Sequence, residues 1–248
     1  MKVSRRTQIR ILWVLNELIP PIIRDARWFM IPLMCLAFRR HTALALGFKE
    51  RAYAMSFQEF VHAYEQVSEI SVTKHTDLNA ACAARILDDV VGSTLEVGCG
   101  KGALAVNMSR SLSVTACDIV IDPLLVRSNP QIQWCAADAE SLPFADAAVD
   151  TVVCTHTLEH VRDLTAAIAE LRRVGRRRMV VVVPKERPYR YTFNLHLHFF
   201  PYTSSLRAAM SAARSETRRA RCEVVDGDLY YVEELAPAVS AVAGQAGG

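Results

Sequence analysis

Three glycines spaced two apart, Gly98, Gly100 and Gly102, with Glu96 two residues ahead of them, are the positions of this 248-residue chain best suited to chemistry. The run Leu95-Glu96-Val97-Gly98-Cys99-Gly100-Lys101-Gly102 ends a short apolar stretch and leads into residues with helical spacing. Glycine lets the backbone turn tightly and approach a ligand, because no Cβ intrudes. The first N–H groups of the following helix then face that ligand. Asp118 closes the next apolar stretch, eighteen residues past Gly100. An acid there can accept two hydrogen bonds from a ribose diol. Together these residues suit a nucleoside-containing ligand at the carboxyl ends of parallel strands.

The spacing and the acid narrow the choice. A dinucleotide loop reads GxGxxG, whereas this one reads GxGxG. Glu96 would repel a pyrophosphate and attract an ammonium group. S-adenosyl-L-methionine (SAM) carries a ribose, an ammonium and a sulfonium, while NAD carries two phosphates, so the acid favours SAM. The plain alternatives are a ligand-free strand–helix turn, a helix N-cap at Asp118 and a solvated turn at Asp138.

Histidines supply the second set of candidates. His156-Thr157-Leu158-Glu159-His160 fits H-x-x-E-H, a zinc-protease signature. That chemistry needs both histidines on one helical face. Here the run follows a strand directly, so His156 is expected at the strand tip, pointing away from His160, and no metal is expected. His156, His196 and His198 are the candidates for a general base, should the reaction need one. Tyr189, Tyr191, His196, His198, Phe199, Phe200 and Tyr202 form an aromatic, histidine-rich stretch. It reads either as a loop facing an acceptor or as a loop packed under N-terminal helices. Arg172, Arg173 and Arg176 to Arg178 read as a solvated cationic helix end, with an RNA patch as the lesser reading.

The elements that must position these residues follow from periodicity. Residues 1–75 read as helical, broken at Pro20-Pro21. Ser56 to Glu59 forms a capping box. A further helix is expected from Thr76 or Asp77 to Gly92. Strands then alternate with helices: 94–97, 114–117, 132–136, 149–154 and 179–183 are strands, while 103–112 and 164–174 are helical. The apolar run Met179–Val183 suits a strand buried on both faces. The βαβ alternation argues for a parallel sheet covered on both sides. Cys222–Val225 and Leu229–Val232, joined through Asp226-Gly227-Asp228, read as a hairpin. The fold expected is α/β: a Rossmann-like doubly wound sheet of seven strands, mostly parallel with the last antiparallel, plus an N-terminal helical region.

Composition sets the remaining bounds. The chain is 51% hydrophobic and 22% charged, which excludes a long disordered protein. Seven cysteines with no CxxC signal neither a zinc ribbon nor a disulfide framework, and fit a reducing cytoplasm. Residues 1–51 hold ten Lys/Arg against three Asp/Glu, a balance of +7, and the rest hold nineteen against twenty-three, a balance of −4. The longest apolar run, Trp28 to Phe38, is too short to span a bilayer, and Ile11 to Leu15 is too short for a signal-peptide core. A basic segment interleaved with Trp13, Trp28, Phe29 and Phe38 reads either as a helical cap over the main domain or as a contact with an anionic membrane surface. A net charge of +3 gives no argument for nucleic acid.

Four stretches in order carry a family resemblance. Glu96 to Gly102 looks like the ExGxGxG loop of class I SAM-dependent methyltransferases, in particular the methyltransferase type 11 group, and Asp118 matches their ribose acid. Ala137-Asp138-Ala139-Glu140-Ser141-Leu142-Pro143-Phe144 looks like their D-A-x-x-L-P-F segment, and Asp146 to Val161 resembles their fourth strand with its LEH turn. The hairpin at 222–232 matches their terminal one. The resemblance implies strand order 3-2-1-4-5-7-6, with SAM held by Glu96, Gly98, Gly100, Gly102, Asp118, Ile119, Asp138, Ala139 and Thr155. Asp138 would accept from the adenine amino group and the Ala139 N–H would donate to the ring. The implied activity is methyl transfer to a small molecule or a lipid-linked saccharide. An NAD-dependent oxidoreductase and a non-catalytic methyltransferase-like module stand as alternatives. The organisation expected is a cap or membrane-proximal segment at 1–75, a SAM-binding domain at 76–235 and a flexible tail at 236–248, in a cytoplasmic protein with peripheral contact at the inner membrane face.

Overall fold

A computed structural model describes residues 14, 18–71, 76–191, 194–212 and 219–235. Trp13, most of the Ile11–Leu15 run and the 236–248 tail lie outside the described residues. Strands β1 (Thr94–Val97), β2 (Val114–Asp118), β3 (Gln133–Ala136), β4 (Val149–Thr155), β5 (Gly175–Pro184), β6 (Arg219–Val225) and β7 (Asp228–Glu234) form one sheet. Its order is β3-β2-β1-β4-β5-β7-β6. The first five strands are parallel, and β7 runs antiparallel to both β5 and β6. This is the order and the single reversal that the resemblance implies.

The β5 valines show why the sheet is covered twice. Met179, Val181 and Val183 enter one core cluster with Leu95, Val97 and the apolar face of helix α8 (Leu164–Val174). Val180 and Val182 enter the other, with residues of α5 (Ala80–Asp89) and α6 (Ala103–Met108). Every second residue faces the opposite layer, so an unbroken apolar run is what burial on both faces demands. Helices α7 (Pro123–Ser128) and α9 (Thr203–Ala212) complete the wrapping.

Two expectations need correction. Helix α5 starts at Ala80, not at Thr76 or Asp77. Thr76 Oγ1 accepts from the Leu78 N–H, while Asn79 Oδ1 accepts from the Cys82 N–H at 2.7 Å and takes the cap. The arginine cluster is the solvated helix end only in part: Arg172 and Arg173 lie in the last turn of α8, and Arg176 and Arg177 are exposed beyond it. β5 begins at Gly175, which places Arg176 to Arg178 inside the strand. Arg176 pairs with Asp150, Arg173 with Glu170 and Asp146, and Arg178 reaches the Asp89 carbonyl. Arg172 grips the buried Glu233 through Nε (3.0 Å) and Nη2 (2.7 Å).

Before the sheet come α1 (Pro21–Arg24), α2 (Arg27–Phe38), α3 (Thr42–Arg51) and α4 (Phe57–Ser71). The Ser56–Glu59 capping box forms: the Ser56 N–H donates to Glu59 Oε2 at 2.8 Å, and the Glu59 N–H to Ser56 Oγ at 3.3 Å. Met30, Met34, Phe38, Phe48 and Phe60 pack with Leu195 and Leu197. Leu195 and Leu197 of the aromatic 189–202 stretch therefore pack under the helices. The helical run Arg27–Ala54 is long and apolar enough, by length and composition, to cross a membrane. Arg39 breaks it with a positive φ of 47°. Its buried side chains lie in the cluster shared with the loop, whereas Trp28 is 73% exposed.

Arg172→Met leaves the Glu233 carboxylate buried without its cation. The loss expected is about 3–5 kcal/mol of unfolding free energy, read by urea denaturation. Arg40→Met, on the exposed turn, should stay within about 0.5 kcal/mol of the parent.

Candidate active site

The carboxyl ends of β1, β2 and β4 lie side by side, since β1 pairs with both neighbours. After Val97 the backbone turns under the end of β2: the N–H groups of Gly98 and Cys99 both donate to the Cys117 carbonyl, at 2.8 and 3.0 Å. Gly98 has φ 77° and Gly100 φ 51°. A Cβ on Gly98 would lie 1.9 Å from Thr157 Oγ1, whereas one on Gly100 would meet nothing. The two glycines thus serve different ends. Gly98 allows the loop to pass the segment after β4, and Gly100 keeps the open side of the loop clear.

Asp118 sits opposite that open side. Its Oδ2 accepts from the Gly100 N–H at 2.7 Å. Burial raises its pKa, opposed by the N–H groups of Gly100, Val120 and Ile119. The next turn is docked beside it, since the Ala137 N–H donates to the Asp118 carbonyl at 2.9 Å. Asp138 follows, its Oδ1 accepting from the Glu140 N–H at 2.9 Å, and Ala139 is buried. Thr155 ends β4, buried, with its carbonyl accepting from Thr157 Oγ1 at 3.0 Å. The nine residues expected to hold a cofactor therefore line the ends of three adjacent strands and the turn after β3.

Glu96 departs from a simple carboxylate. It is 2% exposed, and no protein donor reaches its Oε2. Burial raises its pKa to about 8, against a hydrogen bond from the Ala105 N–H and with Asp118 adding to the rise. Burial thus favours the neutral acid in the free protein, and an approaching cation favours the anion. An orphaned buried acid beside a cleared loop fits a ligand with an ammonium group and fits a diphosphate badly.

The histidines separate into two groups. His156, with φ 50°, turns its Nε2 to Asp228 Oδ2 at 3.2 Å and its Nδ1 to Glu159 Oε1 at 3.5 Å. Burial opposes its charge, but the Asp228 hydrogen bond and the nearby Glu159 carboxylate prevail and lift its pKa to about 10. A group so held is a poor base. His198 gives Nε2 to the Val161 carbonyl at 2.9 Å, and burial lowers its pKa. His196 Nδ1 lies 2.7 Å from Glu186 Oε2, and its ring packs edge-on against His160 with centroids 4.7 Å apart. His156 and His160 meet different partners, Asp228 for the first and Tyr64 and His196 for the second. The structure also brings in residues that the sequence reading left out: Tyr64, whose ring meets His160 at 5.3 Å, with Thr157, Glu186 and Asp228. None of these four lies in a recognisable spacing with the glycine loop.

Residues 95–183 match a family model described as a methyltransferase domain. Over these residues the chain is similar to methyltransferase domains, and its strand order is the one that the class I, SAM-dependent resemblance implies. An uncharacterized methyltransferase of Mycobacterium tuberculosis is 37% identical over 83 residues, covering 31% of this chain and 42% of its own length. The demethylmenaquinone methyltransferase of Renibacterium salmoninarum is 35% identical over 98 residues, covering 36% and 41%. The chain thus spans less than half the length of these relatives. Among solved structures, the 1,6-didemethyltoxoflavin-N1-methyltransferase of Burkholderia thailandensis, with bound S-adenosylhomocysteine, aligns with a TM-score of 0.56 at 17% identity, over 72% of this chain and 86% of that one. A SAM-dependent methyltransferase from Aquifex aeolicus aligns at 0.52 and 14% identity, over 70% and 98%. Both share the fold of this domain.

Two outcomes follow for the domain. Gly100→Ala should cost only the left-handed strain, about 1–2 kcal/mol of stability, yet lose SAM affinity in calorimetry. Gly98→Val should unfold the loop against Thr157, so its effect on binding cannot be separated from folding. At pH 7, SAM binding should release a proton, up to about one per chain, as the ammonium draws Glu96 into its charged form. Calorimetry in buffers of differing ionisation enthalpy reads this release, and Glu96→Gln should abolish it. Because the folded pKa is raised, the Glu96 contribution to stability is present below the usual 4.5 and lost as pH rises towards 8. Glu96→Gln should therefore stabilise the free protein at pH 8.

Proposed function

We propose that this chain is an enzyme that transfers the methyl group of SAM to a nucleophilic atom of a small-molecule acceptor. The observation that carries the reading is the pairing of a cleared glycine loop with Asp118, over a buried glutamate whose second oxygen has no donor. SAM supplies a methyl group activated by a positively charged sulfur. The chain's own residues bind and orient. Asp118 has lone pairs beyond the Gly100 bond for two ribose hydroxyls. Glu96 takes the ammonium, Asp138 accepts from the adenine amino group, and the Ala139 N–H meets the ring. Ile119 and Thr155 wall the strand ends. Orientation and exclusion of water are the main contributions of such a site to an in-line displacement.

Thermal unfolding with added ligand tests the reading. SAM or its demethylated product at about 100 times its Kd should stabilise the protein by about 2.7 kcal/mol, while NAD should leave the melting temperature unchanged. Asp118→Ala should weaken SAM binding by about 1–3 kcal/mol for lost hydrogen bonds. Stabilisation by NAD, or unchanged SAM affinity in that variant, would contradict the assignment.

A lipid-linked saccharide is the acceptor class we favour among small molecules, and it rests on the N-terminal face. Ile22, Trp28 and Leu36 are exposed there, on a segment with a surplus of basic residues. Apolar anchors among cations suit the interface of an anionic bilayer. In this reading the protein is cytoplasmic, with residues 1–75 serving as both cap and membrane-proximal segment, 76–235 as the SAM-binding domain and 236–248 as a flexible tail. Flotation with anionic liposomes should carry the protein upward, and Trp28→Ser with Leu36→Ser should abolish it.

A further inference from the structure

The segment after β4 and the loop after β5 together make a cluster that methyl transfer does not need. Glu159, His160 and His196 each offer one ligand atom, and these atoms lie within 4.8 Å of one another. Glu159 is 1% exposed, yet among the described residues no hydrogen-bond donor reaches either of its oxygens, and His160 Nδ1 is likewise without a partner there. Leaving a buried carboxylate unmet is costly. His156 does approach Glu159 Oε1, but only to 3.5 Å, too long for a good hydrogen bond.

The surroundings resemble those of a ligand set more than those of an ion pair. Glu186 Oε2, 2.7 Å from His196 Nδ1, fixes that ring. A carboxylate behind a histidine is the usual second partner of a metal-bound imidazole. His160 is engaged by the Leu195 backbone, while its Nδ1 has no partner among the described residues. Tyr64 closes the cluster edge-on to His160. The backbone is pinned as well: the Leu197 and His198 N–H groups both donate to the Glu159 carbonyl, at 2.7 and 3.1 Å.

We propose that Glu159, His160 and His196 form a binding site for a divalent transition-metal ion of the zinc class. Two imidazoles and one carboxylate suit such an ion and leave coordination positions open. Metal–ligand bonds of about 2.0–2.2 Å set ligand atoms roughly 3.4 Å apart in a tetrahedron, so the three side chains close by about an ångström on loading. The H-x-x-E-H spacing therefore misleads in one respect only: His156 is not a ligand, and His196, thirty-six residues beyond His160 in the chain, takes its place. Under the methyltransferase reading, on which this last step rests, the open positions would hold an oxygen of the acceptor.

Cobalt is the probe. The full chain, stripped with EDTA, is titrated with Co2+ and followed by visible d–d absorption. We expect about one ion per chain, displaced by Zn2+, with bands that shift on adding catechol as an oxygen donor. Glu159→Gln and His160→Gln should each weaken Co2+ binding by more than about 100-fold, and Glu186→Gln by about 10–100-fold. Far-UV circular dichroism checks folding, and should the ligand variants misfold, Glu186→Gln decides. No uptake by the parent chain, or uptake unchanged in the folded variants, overturns the site. Unmoved bands with catechol overturn the open positions alone. SAM calorimetry on the same samples separates the two readings: absent SAM binding with intact Co2+ binding defeats the methyltransferase and spares the metal site.

Discussion

Burial of β5 on both faces is the constraint on which the rest depends. With Met179 to Val183 fully inside, helices must cover the sheet on both sides, and short right-handed crossovers then return every parallel strand in the same direction. Their carboxyl ends collect along one edge. The backbone polar groups there have no further strand to pair with, so turns, helix starts and ligands must meet them. Glu96, Asp118, Asp138 and Thr155 are neighbours for this reason, although 59 residues separate the first from the last.

That edge holds two buried glutamates in opposite states, and their surroundings explain the difference. Glu96 has one backbone donor and another acid nearby, so burial prevails and its pKa climbs to about 8. Glu159 is buried as deeply, but the nearness of His156, His160 and His196 overcomes the burial and holds it down at about 2. The first acid waits for a cation, and the second already sits among groups that can supply one. Environments that drive like groups apart mark where chemistry is divided among residues. A chain needing only a stable core would have little use for either, since an apolar residue of the same volume costs less to bury.

Local signals explain what was legible. The seven strands, the hairpin and the glycine loop each announce themselves within a dozen residues, through apolar runs, turn residues and caps. Helix α8 appears with its bounds unchanged, since Leu164, Ile168, Leu171 and Val174 repeat at the helical period. Errors arose where a distant partner decided. Asn79 outcompetes Thr76 as a cap because its amide also reaches Asp228, 149 residues away. Arg172 reads as solvated until Glu233 arrives from β7, and His196 reads as one of several loop histidines until β5 brings it beside His160. Thr157 carries no pattern at all, and its significance is the clash that Gly98 avoids.

Part of the N-terminal basic charge is committed inside the fold. Arg24 Nη2 donates to the Pro188 carbonyl at 2.7 Å, and Lys49 Nζ to the Tyr189 carbonyl at 2.6 Å, with the ammonium lying 4.3 Å from the centre of the Phe199 ring. Arg51 bonds the carbonyls of Gly47 and Ala43 in its own helix. From the domain side Arg162 answers, donating to the Met55 carbonyl and lying over Phe60. Cations here fasten helices to a loop that is rich in carbonyls and aromatic faces. That same loop delivers His196 and, through Leu195 and Leu197, the floor of the helical cluster. The N-terminal helices and the histidine cluster thus share one loop as their common support.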